Sequence, residues 1–245
     1  MKVLIRVYEE LNNYLPPDRR KVAFSATFDP ETSMKEIVDT LGIPLSEVDL
    51  ILANGDSVDL SHRPRDGNRI SLYPVFESID VSPLVKVRAR PLRRIRFVLD
   101  VHLGRLATYL RMLGFDTLYR NDYEDEELVR LSVDEGRVLL TQDRGLLRRK
   151  EVVRGCLVRE PNPRRQLENI LARFDLHESI DPFGRCLRCN TLLKPAAKEE
   201  VRDHLPPETQ KQYDEFWVCS GCGRIYWKGK HYEHMQRFIE EVSRR

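Results

Sequence analysis

The chain has 245 residues, of which 41% are apolar and 33% charged; this is enough to build a hydrophobic core and to divide it among two or three small domains. No stretch approaches 18 consecutive apolar residues and the N-terminal MKVLIRVYEE has no long apolar run, so neither a membrane-spanning helix nor a secretory signal is expected. Net charge is only +2, but residues 1–85 carry 9 Lys/Arg against 14 Asp/Glu and residues 86–245 carry 32 against 25, so a polyanionic partner would meet the C-terminal two-thirds.

In chain order, residues 2–8 and 21–28 read as strands, separated by a turn segment containing Asn12, Asn13, Pro16, Pro17 and Asp18. A short helix follows, with Thr32 as its expected N-cap, an apolar stripe of Met34, Ile37, Val38 and Leu41, and Gly42 at its end. Two further strands are expected around 48–52 and 69–75, with Asn54-Gly55 and Asp66-Gly67 as turns. This ββαββ order predicts a compact β-grasp domain over residues 1–80. Residues 81–94 then form a basic linker; Lys86, Arg88, Arg90, Arg93, Arg94 and Arg96 place six cations in eleven residues, suited to a phosphate backbone or simply to solvent.

From residue 95 the pattern becomes β-α-β-α-β. A strand at 95–99 ends on Asp100, an amphipathic helix spans 103–113, and a second strand spans 115–119. A second helix opens at Asp125 with Leu128, Val129, Leu131 and Val133 as its apolar members, and a third strand at 138–141 leads within two residues to Asp143. Such a rhythm implies a parallel sheet buried on both faces. Its carboxyl edge would then collect Asp100 and Asp143, with Asp125 arriving from the same side and Asp122 in the loop before it. Clustered carboxylates repel unless a cation neutralises them, and hard Mg²⁺ or Mn²⁺ takes oxygen ligands of this kind. Taken singly, each acid has another use: Asp125 suits the first turn of a helix and Asp143 suits a cap.

Residues 144–165 hold eight basic residues and two acids. Arg144, Arg148, Arg149 and Lys150 therefore follow the acidic edge as expected phosphate contacts, while Cys156 lies in an apolar run and is expected in the core. A helix is predicted over 163–174. Beyond it, Cys186-x2-Cys189 and Cys219-x2-Cys222, 29 residues apart, form a four-thiolate framework whose default occupant is a structural Zn²⁺ and which belongs in a reducing compartment such as the cytoplasm. Residues 179–245 are thus expected to be a zinc ribbon with a C-terminal helix. Trp217, Tyr226 and Trp227 are available either to stack RNA bases or to pack this small module.

Phe97-Val98-Leu99-Asp100, Leu103-Gly104-Arg105-Leu106-Ala107, Tyr109 to Thr117, Asp125-Glu126-Glu127-Leu128 and Arg137 to Asp143 together resemble the Mut7-C ribonuclease family, a branch of the PIN-domain nucleases. The resemblance spans roughly 95–240, and residues 1–80 resemble the ubiquitin-like domain fused ahead of such nucleases. It implies an N-terminal β-grasp domain, a PIN-like α/β nuclease domain over 95–178 and a C-terminal zinc ribbon. It also implies metal-dependent cleavage of RNA, endonucleolytic in mode, with Asp100, Asp125 and Asp143 as metal-binding catalytic acids. The fourth acid is open between Asp122 and Glu126. Gln142 stands where relatives commonly carry arginine. Arg105 and Arg111 would contact phosphate or, alternatively, form salt bridges on a helix surface. The N-terminal segment does not end in the Gly-Gly tail of ubiquitin or of sulfur carriers but continues through Tyr73-Pro74-Val75-Phe76, so it is expected to dock a protein or position substrate rather than to be conjugated. The expected partner is RNA, with tRNA and rRNA as candidates. The alternatives are a weak or inactive RNA-binding adaptor in a tRNA- or ribosome-related complex, and DNA as substrate.

Overall fold

The computed structural model describes residues 1–74, 87 and 95–243. Most of the expected basic linker therefore lies outside the described residues.

The N-terminal unit is a five-stranded mixed sheet crossed by one helix. Its strands are β1 (Lys2–Val7), β2 (Phe24–Thr27), β3 (Val48–Ala53), β4 (Asp56–Ser57) and β5 (Arg69–Pro74), ordered β2-β1-β5-β3-β4. The central β1–β5 pair is parallel and the rest antiparallel, which is the β-grasp arrangement expected from the sequence. Alternate residues Val3, Ile5 and Val7 point inward onto Met34, Ile37 and Val38 of α1 (Met34–Thr40). The helix is capped one residue later than predicted: Ser33 Oγ accepts from the Glu36 amide and Glu36 Oε2 accepts from the Ser33 amide. Glu36, with no counterpart opposite Thr32, closes this capping box and selects Ser33. The two-residue β4 was not predicted; it is the return of the Asn54-Gly55 turn, where both residues have positive φ.

The second unit is a four-stranded, wholly parallel sheet of β6 (Phe97–Leu99), β7 (Thr117–Leu118), β8 (Val138–Thr141) and β9 (Gly155–Leu157), in the order β7-β6-β8-β9. Its helices are α2 (Gly104–Met112), α3 (Asp125–Asp134), α4 (Arg144–Leu147) and α5 (Pro163–Arg173). Phe97, Leu99, Val138 and Leu140 face α2 and α5, whereas Val98 and Leu139 face α3 and α4, so both faces are covered as a parallel sheet requires. Val133, one of the apolar members of α3, is 45% exposed; the inward side of the helix is carried by Leu128, Val129 and Ser132.

The C-terminal unit is an antiparallel sheet of β10 (Leu193–Ala196), β11 (Phe216–Cys219) and β12 (Ile225–Trp227), with short helices α6 (Lys198–Val201) and α7 (Pro207–Gln212) in the connection. The final helix, α8 (Lys230–Ser243), returns to the core of the parallel-sheet unit: Ile239 and Val242 are buried there and Phe238 stacks on Tyr109 at 4.7 Å. Gly114 makes the junction possible. Its φ is +94°, and a Cβ there would lie 2.1 Å from the Asp181 carbonyl oxygen. Among the described residues no helix is long and apolar enough to cross a membrane.

Candidate nuclease edge and metal centre

In the parallel sheet the chain runs from β6 outward to β7, then crosses back to β8 and continues to β9. The strand order therefore reverses between β6 and β8, and ligands of open α/β sheets bind at the carboxyl ends of strands flanking such a point. Asp100 follows β6 and Asp143 follows β8 by two residues. Asp100 is 4% exposed and its carboxylate is held from three directions. Oδ1 accepts from the His102 amide at 2.8 Å, while Oδ2 accepts from the Gln142 amide at 2.8 Å and from the Thr141 hydroxyl. The same Thr141 Oγ1 accepts from the Asp143 amide at 2.9 Å. One threonine hydroxyl thus spans the reversal point and ties the two acids together. The Asp143 side chain is exposed and caps α4, Oδ1 accepting from the Gly145 amide at 2.7 Å. Because Gln142 acts through its backbone amide, this contact does not depend on which side chain stands at that position.

Asp125 is exposed in the first turn of α3, whose preceding loop leaves the carboxyl end of β7. Asp122 and Glu126 are each engaged by a cation. Arg120 lies 2.9 Å from Asp122, holding its carboxyl below the usual range, and 3.3 Å from Glu127; Arg149 lies 3.2 Å from Glu126. Among the described residues, the four cysteines are the one group of three or more His, Cys, Asp or Glu residues whose ligand atoms lie close enough to share an ion. Asp100, Asp125 and Asp143 share an edge but not such a group.

The expected phosphate contacts separate into two kinds. Arg105, Arg144, Arg148 and Lys150 are exposed and Arg149 is half-buried. Arg111 is neither a phosphate contact nor a surface ion pair. It is 3% exposed and donates to the carbonyls of Thr117 (2.9 Å), Tyr119 (3.2 Å), Leu187 (3.1 Å) and Arg188 (2.8 Å). A guanidinium carries donors enough to satisfy several backbone carbonyls at once, and here it staples α2 and β7 to the first cysteine knuckle. Two residues at the edge escaped the sequence pattern. His102 is exposed, with Nδ1 3.4 Å from Asp100 Oδ1, and Arg120 lies over the Tyr123 ring at 4.6 Å. His102 carries a weak signal, two residues beyond a strand-terminal acid. Cys156 is 2% exposed, and burial pushes its thiol up to about 12, so it is a core residue as expected.

The four cysteines form the C-terminal centre. All four sulfurs lie within 4.8 Å of one another, with Cys186–Cys222 at 3.5 Å and Cys189–Cys219 at 3.3 Å. Tetrahedral Zn²⁺ with Zn–S bonds of about 2.3 Å needs sulfurs roughly 3.8 Å apart, so both the donor set and its spacing fit zinc. Tyr226 supports the first knuckle: its hydroxyl is 3.2 Å from Cys186 Sγ and accepts from the Leu187 amide at 3.2 Å. It is therefore a supporting contact of the kind that orients metal ligands. Asp116 joins this knuckle to the nuclease-side sheet. Its carboxylate meets Arg137 at 2.7 Å, the Asn190 side chain at 2.8 Å and Arg185 at 3.6 Å.

The Mut7-C RNAse domain matches residues 95–239, and the Mut7-C ubiquitin domain matches residues 1–80. The crystal structure of SAMP1 from Haloferax volcanii is similar at 15% identity and a TM-score of 0.26, covering 31% of this chain and 97% of that one. A comparison with curated proteins finds no match. With more than half of its length matched by the nuclease domain and the remainder led by the ubiquitin-like domain, the chain belongs to the Mut7-C RNase-domain family.

Proposed function

We propose that the protein hydrolyses RNA phosphodiester bonds at the edge between β6 and β8, cutting within the chain, with Asp100, Asp143 and Asp125 as the residues that would hold Mg²⁺ or Mn²⁺. The observation that carries this is the Asp100–Thr141–Asp143 linkage across the strand-order reversal of a Mut7-C RNase domain. Three carboxylates supply the hard oxygen donors that such ions take. A bound ion would supply activation of a water and neutralisation of charge on the reacting phosphoryl group.

The chain's own residues do the rest. Thr141 and the amides of His102 and Gln142 hold the buried Asp100 carboxylate in one orientation, so little reorganisation is left for the reaction itself. Asp143, exposed at the same edge, would meet the substrate from the solvent side. Arg105, Arg144, Arg148, Arg149 and Lys150 would meet the RNA backbone, positioning it without reading sequence. Asp122 and Glu126 remain candidates for a fourth ligand, although each would first have to leave its arginine. The four-cysteine site would hold a structural Zn²⁺, and its filled coordination leaves hydrolysis to the acidic edge. The ubiquitin-like domain would provide the protein-docking surface, and tRNA and rRNA are the first RNAs to test in a cytoplasmic setting.

One observation favours a second reading, an RNA-binding adaptor with little activity: the three acids do not form a closed three-ligand group. Cleavage of tRNA, rRNA and single-stranded RNA, assayed with chelator and with added Mg²⁺ or Mn²⁺, separates the two. Metal-dependent cleavage supports the nuclease; RNA binding without cleavage under any metal condition supports the adaptor.

A further inference from the structure

The β-grasp domain touches the nuclease domain at α4, the short helix that Asp143 caps. Tyr14 packs into the core beneath α4 beside Leu146, Leu147 and Leu157. The Arg144 guanidinium lies over its ring at 5.7 Å and that of Arg159 at 4.7 Å. From the same domain Ser46 Oγ donates to the Leu147 carbonyl at 3.4 Å, closing the other end of the helix. Gly155 leaves room for this approach, since a Cβ there would lie 2.3 Å from Leu147 Cδ2 and 3.1 Å from Ser46 Oγ.

A four-residue helix has no length with which to stabilise itself, so its place must come from its neighbours. On one side these are the strands under Leu146 and Leu147, and on the other the β-grasp domain. A cation over an aromatic face is attracted by the ring's quadrupole within about 6 Å, and Arg144 is the residue next to Asp143. We propose that Tyr14 is a positioning residue for the nuclease edge: its ring fixes Arg144 and thereby the turn carrying Asp143, making the β-grasp domain part of the nuclease site rather than an appended module. This rests on the assignment of Asp100 and Asp143 to RNA cleavage. The Tyr14 hydroxyl is buried beside Glu47, whereas it is the ring that faces Arg144, so the ring carries the effect.

The test uses the full chain, a 5′-labelled single-stranded RNA oligonucleotide and added Mn²⁺. Tyr14→Leu should lower kcat about tenfold while KM changes less than about twofold, and Tyr14→Phe should stay within about twofold of the wild type. In an Arg144→Met background, Tyr14→Leu should have no further effect on kcat, a non-additivity that general loosening of the fold would not produce. A folded Tyr14→Leu protein with wild-type kcat, or with fully additive losses, overturns the proposal. Amide exchange at Gly145, whose N–H is bonded to Asp143, gives a readout independent of cleavage. It should quicken in Tyr14→Leu and stay unchanged in Tyr14→Phe. If the wild type does not cleave RNA, or Asp143→Asn cleaves normally, the nuclease assignment fails. Exchange then decides the positioning: quickened exchange supports it, and unchanged exchange overturns it. Should Tyr14→Leu not fold, Arg144→Met breaks the same contact from the exposed side and is held to the same exchange criterion.

Discussion

Replacing Glu47 should uncouple the β-grasp domain from the nuclease sheet and destabilise both. Glu47 lies in a short 3-10 turn, Leu45–Glu47, and is completely buried. Its Oε1 accepts from the Leu157 amide at 2.6 Å, filling a donor on the outer side of the edge strand β9. Its Oε2 lies 3.6 Å from Arg173 Nη2, too long for a hydrogen bond but close enough for an ion pair, and the arginine side chain is only 9% exposed. Burial alone would lower the pKa of Arg173, but the surrounding groups, Glu47 among them, raise it overall. Glu47→Ala strands an edge amide and an unpaired buried cation, so a loss of about 3–5 kcal/mol is expected. Glu47→Gln keeps an acceptor for Leu157 and removes only the charge, and should cost about 2 kcal/mol less. Adding Arg173→Met to Glu47→Gln should recover most of the loss, because removing both charges is far cheaper than removing one. Urea unfolding monitored from both domains would measure this through the midpoint at unchanged slope. A Glu47→Ala cost below about 1 kcal/mol, or no recovery in the double variant, is incompatible with a buried Glu47–Arg173 ion pair holding the two domains together.

Three other outcomes follow from the same contacts. Arg111→Met should cost about 3 kcal/mol by thermal or urea unfolding, since it strands four carbonyl contacts between α2, β7 and the knuckle. Metal analysis should find one zinc per chain; Cys189→Ser or strong chelation should remove it and lower the melting temperature, with the added loss of protection at the Thr117 amide, which donates to Asn190 at 3.0 Å. Burial works to raise the carboxyl pKa of Asp116, but Arg137 and Asn190 outweigh it and hold the folded value below the ordinary 3.8. The stability it contributes is therefore fully present above that ordinary value and is lost as pH falls through the lower folded one. Asp116→Asn should flatten the acid limb of a stability-versus-pH curve.

Much of this architecture was legible in the sequence because it rests on local pattern. Val138–Leu140 is a β-favouring apolar run that continues into the β-branched Thr141, with Gly136 before it and Asp143 after it, and it forms β8 over Val138–Thr141. The two CxxC pairs carry their geometry in their spacing. What escaped was either too short or too distant. Helix α4 has four residues and β4 two, below the length at which periodicity shows. Arg111 read as a surface cation because two of its partners, Leu187 and Arg188, lie 76 and 77 residues onward. Tyr14 and Glu47 carry no local pattern that marks them, and their partners Arg144, Arg159 and Leu157 lie more than a hundred residues away. Val133 fitted helical spacing on α3 but falls on its outer side, because the stripe buried there is narrower than the run of apolar residues.

On the proposed function, Asp100 serves chemistry rather than RNA affinity. The direct measurement is single-turnover cleavage of one RNA substrate by the wild type and Asp100→Asn, with the dissociation constant for that RNA determined in parallel. Cleavage by Asp100→Asn should fall by at least about a hundredfold, with affinity changed less than about threefold. Wild-type cleavage by Asp100→Asn, or an affinity loss large enough to explain the whole defect, would contradict this role for Asp100.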